Sequence, residues 1–449
     1  MVELLNTIFS YILDLGASVF VPAVMLLIGI FVKMKFKNAL SAAITLGVAF
    51  LGMNLVIGFM LDALTPAAQA LAERTGIELT AVDGGWTTAA SLSWAWPYAF
   101  LLFPIQLVIN GVMLLINKTK TLNVDLWNVW GKIFTAVLIY GVTGSMYVAL
   151  IGSAIVIIFE LVFADLNQKQ IETLTNIPGV TSSHNFFLIG TLLMPIDWML
   201  RKFKVFNKEM DANALRDKIG IFAENHVMGF IIGLLLGLAA GYSIADSLIL
   251  SMQAAAALTL FPMVAKLFMQ ALSPLSEAIN DYMKKRFKGR EIFIGLDWPI
   301  LAGSSEAWVV MTILVPITLF FALILPANAV LPFAGILNIG LAVPALIVTG
   351  GNLLRMLVIC TITTPIFLYA ATYFADIMTD LAHSTKAVEL EAGQQITWST
   401  VEYPVFRYIL TELGSFSIIG LALAAVWVLG FILYRKEMLK RTEELKAQG

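Results

Sequence analysis

The segment EIFIGLDWPILAG, residues 291–303, carries the acidic side chain of Asp297 in the middle of a nearly continuous apolar stretch. An ionisable group at membrane depth costs at least ~2.5 kcal/mol on insertion scales, so such a group usually has a function. A carboxylate can bind hydroxyl groups, and within hydrogen-bond reach it can accept a proton from one. Pro299 and Gly303 favour an irregular backbone there, as in broken transporter helices. We expect Asp297 to bind a ligand; the alternative is a helix cap or a pair with the basic run 284–290.

A second polar group lies among tryptophans in TLNVDLWNVWGK, residues 121–132. Asp125 and Asn128 carry a carboxylate and an amide, which can hydrogen-bond paired hydroxyls, and the Trp127 indole can pack on the C–H faces of a sugar. These residue types at the start of an apolar stretch indicate a sugar-type site. The alternatives are that Asp125 caps a helix and that Trp127 belongs to the aromatic belt of a membrane interface.

Two further segments combine residues that could line the same kind of site. AVDGGW, residues 81–86, ends in Gly85 and Trp86, although Asp-Gly-Gly is a turn in most proteins. TSSHNFF, residues 181–187, places His184 at the start of an apolar stretch, where a histidine can equally be a satisfied interface residue. We expect both segments to contact the ligand.

GGNLLR, residues 350–355, combines two glycines with Asn352 and Arg355. Glycines let a backbone approach a ligand or a phosphate closely, so we expect Asn352 on the substrate side and Arg355 on the phosphate or partner side. The alternative for Arg355 is a side chain that extends to the membrane interface. The single cysteine, Cys360, follows in an apolar run and is expected to be a small buried hydrophobe.

The composition of the chain indicates a membrane protein. Of its 449 residues, 59% are hydrophobic and only 13% are charged, against roughly 25% charged in soluble proteins. The formal net charge of −2 suggests no nucleic-acid partner. One cysteine and three histidines far apart in sequence predict no disulfide, no metal site and no cofactor. The N-terminus has no pattern of a cleaved signal, and no P-loop or soluble catalytic domain is evident.

Apolar stretches and basic residues together predict the membrane topology. Eleven stretches are long enough to span, namely 10–32, 39–61, 91–117, 132–163, 184–200, 221–241, 247–272, 306–326, 328–348, 352–375 and 404–434. Three, two, six, five and five of the 28 basic residues lie in 33–37, 118–120, 201–218, 284–290 and the tail from 435. Cytoplasmic loops concentrate Lys and Arg, so eleven spans place the N-terminus outside and the C-terminus inside. The connections 62–90, 164–183 and 376–403 are then expected outside.

The sequence therefore predicts an all-α polytopic membrane protein with one membrane domain, residues 1–449, and a cytoplasmic tail, 435–449. Residues 64–75 suggest an amphipathic helix at the outer interface. Irregular backbone at membrane depth is tolerated only where it is buried or lines a wet cavity. We expect re-entrant or core segments of this kind near 78–132, 176–200, 291–305 and 328–356.

The motifs GMNLVIGFMLDALTPAAQALAER, TAVDGGW, LNVDLWNVW, FIGLDWPILAG, LPFAG and GGNLLRMLV resemble, in this order, the galactitol-type membrane (IIC) component of the bacterial phosphoenolpyruvate-dependent sugar phosphotransferase system. The ascorbate-type IIC components are more distant relatives. The resemblance runs over essentially the whole chain. It implies an inner-membrane homodimer in which a mobile core with two re-entrant hairpins moves like an elevator against a static dimerisation part. It also implies that the phosphate comes from a phosphorylated cysteine on a separate B component, charged by an A component.

Carried over onto this chain, the resemblance places Asp297 at a hairpin tip facing the substrate. Gly85 and Trp86 match the first-hairpin segment, and Asn128 with its neighbours matches a substrate-facing helix start. His184 matches a substrate-side stretch only loosely, because the spacing before Asp197 differs. After GLD this chain has WPILAGSSEAW, where the galactitol pattern has a histidine near Ser304, which puts the exact polyol in doubt.

The resulting hypothesis is a IIC permease that binds a polyol, galactitol or a related sugar, and moves it across the membrane as the B component phosphorylates it. Asp297 would bind substrate hydroxyls and could accept the proton of the attacking hydroxyl. The basic loops 201–218 and 284–290 would dock the B component, or serve only as a topology signal. The rival hypothesis is an ion-coupled symporter with Asp297 as the coupling carboxylate; a membrane scaffold fits the intramembrane acids poorly.

Overall fold

The computed structural model describes residues 17–31, 33–123, 128–175, 179–210, 212–213, 220–286, 292–301, 304–388, 390, 392–400 and 404–448. The first half contains α1 Ala17–Phe31, α2 Phe36–Thr75, β1 Ala81–Asp83, α3 Gly85–Ala95, α4 Leu102–Leu115, β2 Thr121–Asn123, α5 Val129–Thr143, α6 Met146–Thr175, β3 Val180–Ser182 and α7 Gly190–Leu200. The second half contains α8 Asn225–Ala239, α9 Ile244–Arg286, β4 Phe293–Leu296, α10 Ser305–Ile324, β5 Val330–Leu331, α11 Ile339–Thr349, α12 Leu353–Thr385, β6 Gln395–Thr397 and α13 Pro404–Gly414. The last helix is α14 Ile418–Gln448. Short 3-10 turns include Ala99–Leu101, Asn185–Ile189 and Trp298–Leu301.

The two halves repeat the same order of elements. Each has two helices, a strand, a helical segment, a strand, two helices, a strand and a short helix, and α14 follows the second half. The repeat extends to the sequence of one turn. α5 ends on Gly144 in VTGS and α11 ends on Gly350 in VTGG, and both glycines adopt the left-handed conformation, with φ of +64° and +66°. A left-handed glycine is a common way to end a helix, so the same residues stop the equivalent helix in each half.

In the described part of the chain, six short strands form two parallel sheets, and each sheet combines strands from both halves. The first sheet has the order β5-β1-β6 and the second has the order β2-β4-β3. In the first sheet Val82 pairs with Leu331 and Ile396; in the second, Gly295 pairs with Asn123 and Thr181. The central strand of each sheet comes from one half and both outer strands come from the other. Neither half can complete its sheet alone.

The helices α1, α2, α8 and α9 pack against one another. The α8–α9 contact depends on small residues: a Cβ at Gly229 would lie 2.6 Å from the Ala254 carbonyl oxygen, and one at Gly233 would lie 2.7 Å from the Ser251 Cα. Gly229, Gly233 and Gly237 follow each other at intervals of four, the spacing that lets two helix backbones approach closely in a membrane. The other helices pack around α5 and α11; residues 129–139 of α5 and nearly all residues of α11 are buried.

Many helices are long and apolar enough to cross a bilayer. Among the described residues these are α2, α6, α10, α12 and α14, with α3 and α4 as a further pair bent by 92°. Several shorter apolar helices accompany them, including α5, α8 and α11. The chain is thus a mostly helical, multi-pass membrane protein, consistent with the all-α expectation, and its described residues also form six short strands.

The structure corrects several predicted boundaries. The expected single span 132–163 is two helices, α5 and α6, divided at Gly144, and the expected span 404–434 is divided into α13 and α14. Residues 328–348 comprise β5, a turn and most of α11. Residues 64–75 do not form a separate interfacial helix, because they continue α2 without a break.

The division at Gly144 also bears on the expected position of 164–183, because it adds a helix before that segment. The Lys120 backbone N–H donates to Asp165 Oδ1 at 3.1 Å, and the Thr121 hydroxyl donates to the same oxygen at 2.7 Å. This part of α6, ten residues before its last residue Thr175, therefore lies beside the basic turn 118–120. The α5–α6 turn lies elsewhere, beside α13, where a Cβ at Gly414 would be 2.8 Å from Val148 Cγ1.

Candidate functional site

Three of the segments singled out by their chemistry meet at one edge of the β2-β4-β3 sheet. The carboxyl ends of parallel strands lie at the same edge, so the residues after β2, β3 and β4 come together there. The Ser183 N–H donates to the Leu296 carbonyl at 3.3 Å, which extends the pairing beyond β3. Asp297 and His184 follow directly on these strands. The fold thus brings together two residues that are more than a hundred positions apart in sequence.

Asp297 and His184 differ in their surroundings. Asp297 is half-buried, and its Oδ1 accepts from the Trp298 backbone N–H at 2.6 Å, so it turns the chain after β4. His184 is buried, and its Nδ1 accepts from the Phe186 N–H at 3.3 Å, while the two rings lie 4.1 Å apart. Both side chains therefore contribute to the local fold.

Asn128 lies at the same edge as the first residue before α5. It is buried, and its side chain makes no capping hydrogen bond to the helix. Asp125 and Trp127 lie outside the described residues, and so does Gly303. α5 begins at Val129, directly after Asn128, and the expected contact of Asn128 with the substrate stays a prediction.

Gly85 and Trp86 belong to the other sheet. Asp83 ends β1, is fully buried, and accepts from the Gly85 N–H at 2.8 Å, from the Ser399 N–H at 3.3 Å and from the Ser399 hydroxyl. Gly85 adopts φ +66°, and a Cβ there would lie 2.9 Å from the Ala334 carbonyl, so the position requires glycine. Trp86 is half-buried against the core. Asp83 thus ties the ends of β1 and β6.

Residues from the second half that the motif analysis omitted lie around this first sheet. Asn338 precedes α11 as Asn128 precedes α5, and its Oδ1 accepts from the Thr400 hydroxyl at 3.0 Å. The two sheets share one core: α3, which follows β1, packs on α5, which follows β2. Phe134 of α5 meets the Trp398 ring, next to β6, edge-on at 4.4 Å. Only the equivalence of the two halves could have pointed to Asn338.

Asn352 and Arg355 lie at the start of α12, beyond the far end of α11. Asn352 caps α12 by accepting from the Arg355 N–H at 3.0 Å. The Arg355 guanidinium contacts Asp197 Oδ1 at 2.7 Å and the Thr349 carbonyl at 2.9 Å. Arg201 and Arg441 contact the other oxygen of the buried Asp197 at 3.0 and 3.1 Å. Arg355 thus belongs to a cluster of three arginines joining α7, α12 and α14.

Three buried charged residues near the β2-β4-β3 edge were also missed. Lys132 of α5 and Glu160 of α6 form an ion pair with Nζ–Oε1 2.7 Å, at 0% and 1% side-chain exposure. Arg407 of α13 donates to the Gly131 carbonyl at 2.7 Å. A sequence reading could have noticed Lys132 and Glu160 as isolated charges within apolar runs. Among the described residues no group of His, Cys, Asp and Glu side chains could hold a metal ion.

Comparison with known proteins identifies the family of this chain. The model of the EIIC-GAT family, the PTS system sugar-specific permease component, matches residues 11–393. The chain belongs to this family. The galactitol-specific EIIC component of the PTS from Escherichia coli (strain K12) is 32% identical over 408 residues, covering 88% of this chain and 90% of that protein. A putative permease IIC component from the same strain is 30% identical over 441 residues, covering 96% of this chain and 99% of that protein.

The resemblance inferred from the sequence motifs is therefore confirmed. As an EIIC-GAT protein with many apolar helices, the chain is a multi-pass inner-membrane permease component of the PTS, the sugar phosphotransferase system. The family match covers both sheets apart from the β6 strand, which begins at Gln395.

Proposed function

We propose that this EIIC-GAT permease carries galactitol or a related polyol, and that the polyol binds where the strand ends of the two sheets meet. The observation that supports this most is the exchange of strands, which brings the Asp297, His184 and Asn128 segments to one edge. Carboxylate, imidazole and amide groups can bind the several hydroxyls of a polyol. The name of the E. coli relative supports galactitol as the first substrate to test.

Phosphorylation accompanies transport, with separate A and B components as partners. The A component charges a cysteine of the B component, and the polyol hydroxyl attacks that phosphocysteine as the product is released inside. Cys360 is a poor phosphoryl carrier, because it is fully buried and its thiol faces the Leu341 carbonyl at 3.8 Å. A phosphoryl-carrying thiolate must be exposed and activated.

The experiment is uptake of labelled galactitol by membrane vesicles loaded with phosphoenolpyruvate and the general PTS proteins, with and without the A and B components. We expect galactitol phosphate to accumulate only when both components are present. Vesicles lacking both should show, at most, slow passage of free galactitol. Strong accumulation of free galactitol driven by a proton or sodium gradient would favour the symporter instead.

Asp297 is proposed to bind substrate hydroxyls and to accept the proton of the attacking hydroxyl. Asp297→Asn keeps the size of the side chain and an oxygen for the Trp298 N–H, but removes the charge and the basicity. Phosphorylating uptake should fall by at least ~10²-fold, the lower range for general acid–base groups. Near-normal uptake by a well-expressed Asp297→Asn protein would show that Asp297 only stabilises the turn after β4.

The proposed topology keeps eleven crossings, with the N-terminus outside and the C-terminus inside, but assigns them differently. The crossings are α1, α2, the α3–α4 pair, α5, α6, α8, α9, α10, α11, α12 and α14, while α7 and α13 re-enter from opposite sides. Contacts at the two ends of the helix bundle support this assignment. At the basic end, the Arg201 guanidinium contacts Glu437 at 2.8 Å; at the other end, Arg74 donates to the Leu238 carbonyl at 3.3 Å.

We further propose a homodimer in which α1, α2, α8 and α9 form the static part and the remaining helices form the mobile core. The packing of these four helices on one another supports this division. The ends of the two sheets belong to the mobile core, so the bound polyol would move with it in an elevator step. Asn352 and Arg355, at the basic end, are proposed to face the product and the B component.

A further inference from the structure

The Lys132–Glu160 ion pair is buried in the core, next to the start of α5. Lys132 Nζ contacts Glu160 Oε1 at 2.7 Å and also donates to the Asn128 carbonyl at 3.0 Å. One lysine thus joins α6 to the residue that opens α5. The contact to Asn128 is local in sequence. The contact to Glu160 fixes the position of the first turn of α5 relative to α6.

Stability alone explains this pair poorly. Two charges lose their hydration in the interior, and well-packed apolar residues in their place are often equally or more stabilising. Removal of one partner is strongly destabilising because it leaves a charge buried without compensation. In a membrane protein the free-energy cost of removing a charged group from water is larger still. Buried ionisable groups there usually serve a function.

The other contacts around Lys132 hold the same turn of helix. The Ser153 hydroxyl of α6 donates to the Lys132 carbonyl at 2.9 Å, and Arg407 of α13 donates to the Gly131 carbonyl at 2.7 Å. Carbonyls in this first turn of α5 are therefore held by side chains from two other helices. α6 follows α5 in the first half, whereas α13 comes from the second half, so both halves fix the position of this turn.

We propose that Lys132 and Glu160 are positioning residues that hold the first turn of α5, and with it Asn128, in the geometry that binds the polyol. The inference rests on the proposed function, because it assigns Asn128 to the substrate site. Lys132 and Glu160 act through Asn128 and not by contact with the polyol. Small displacements of a binding group weaken ligand binding strongly, which is why such groups are held by supporting hydrogen bonds.

The test uses the full-length protein in detergent and equilibrium binding of labelled galactitol, without A or B components. The double variant Lys132→Met/Glu160→Gln removes both charges and leaves no unpaired ion. We expect its thermal unfolding midpoint to stay within a few degrees of the parent while the Kd for galactitol rises at least ~10-fold. In phosphorylation assays with excess B component, the apparent KM should rise while the rate at saturating galactitol changes less.

A matched control is Lys169→Met/Glu172→Gln, which removes an ion pair of 2.9 Å that is about one-quarter exposed on α6. It should leave the Kd unchanged. Ser153→Ala, a smaller change at the same turn, should raise the Kd by ~2- to 5-fold and keeps the test decisive if the double variant misfolds. Parent-like binding by the folded double variant, or by Ser153→Ala where the double variant does not fold, would overturn the positioning role. Failure of the parent itself to bind galactitol would instead contradict the proposed substrate.

Discussion

Gly85 and Gly76 share a backbone conformation but differ in their neighbours. Their φ values are +66° and +72°, in the region that side chains rarely adopt. A Cβ at Gly85 would lie 2.9 Å from the Ala334 carbonyl, whereas a Cβ at Gly76 would have nothing within 4 Å. Strain from the left-handed conformation costs roughly 1–2 kcal/mol. Gly85 therefore has a steric requirement in addition to a conformational one.

Gly85→Ala and Gly76→Ala separate these two requirements. Gly76→Ala should destabilise by about the conformational cost alone. Gly85→Ala should destabilise more and reduce transport, because Ala334 must move and the end of β1 with it. Thermal unfolding of the purified proteins and galactitol uptake measure the two effects. Equal losses of stability in both variants would show that the Ala334 contact is easily relaxed.

Residue types indicated the members of the candidate site but not how the fold brings them together. Asp297, His184 and Asn128 were found from isolated polar groups in apolar runs, because such groups are rare in membranes and stand out. The Asp297–Trp298 turn and the His184–Phe186 contact depend on three-residue geometry that side-chain types do not reveal. The pairing of β4 with β2 and β3 could not be predicted, since strands of three or four residues carry almost no periodic signal.

At the scale of elements, the long apolar helices were predicted and their breaks were not. A run such as 132–163 reads as one helix because nearly every residue is apolar on all sides, so periodicity has no exposed face to detect. The turn signal was present as a glycine in VTGS, residues 142–145, and again in VTGG, residues 348–351. Comparison of the two halves, rather than the hydropathy of either, would have found it.

The α8–α9 contact makes a sharp prediction at this scale. Gly233→Ala would place a methyl group 2.7 Å from the Ser251 Cα, where only movement of a helix backbone can make room. Overpacking of this kind costs typically 1–3 kcal/mol. Gly58→Ala in α2, where a Cβ meets nothing within 4 Å, is the control and should leave stability unchanged or raise it. Detergent-solution unfolding midpoints measure both, and a neutral Gly233→Ala would mean that the two helices are not rigidly packed.

At the scale of the whole molecule, the strand exchange makes the two halves interdependent. Each sheet needs a central strand from one half and two outer strands from the other, so folding must bring together segments as distant as β1 and β6. The Asp197 cluster adds a second connection, because Arg201, Arg355 and Arg441 come from α7, α12 and α14. The C-terminal helix is thereby tied to both halves and should move with the core.

The repeat and the basic turn 118–120 together predict which ends of α6 and α12 face the cytoplasm. Thr173 and Ser384 are exposed and lie near the C-terminal ends of α6 and α12. The C-terminal part of α6 contacts the basic turn 118–120 through Asp165, whereas α12 contacts β6 and α13, so the two positions should lie on opposite sides of the membrane. In a Cys360→Ser background, Thr173→Cys should react with a membrane-impermeant thiol reagent only after the cells are opened, and Ser384→Cys should react in intact cells. Labelling of Thr173→Cys in intact cells would contradict the assignment of α5 and α6 as two crossings, because a single crossing over 132–163 places residue 173 outside.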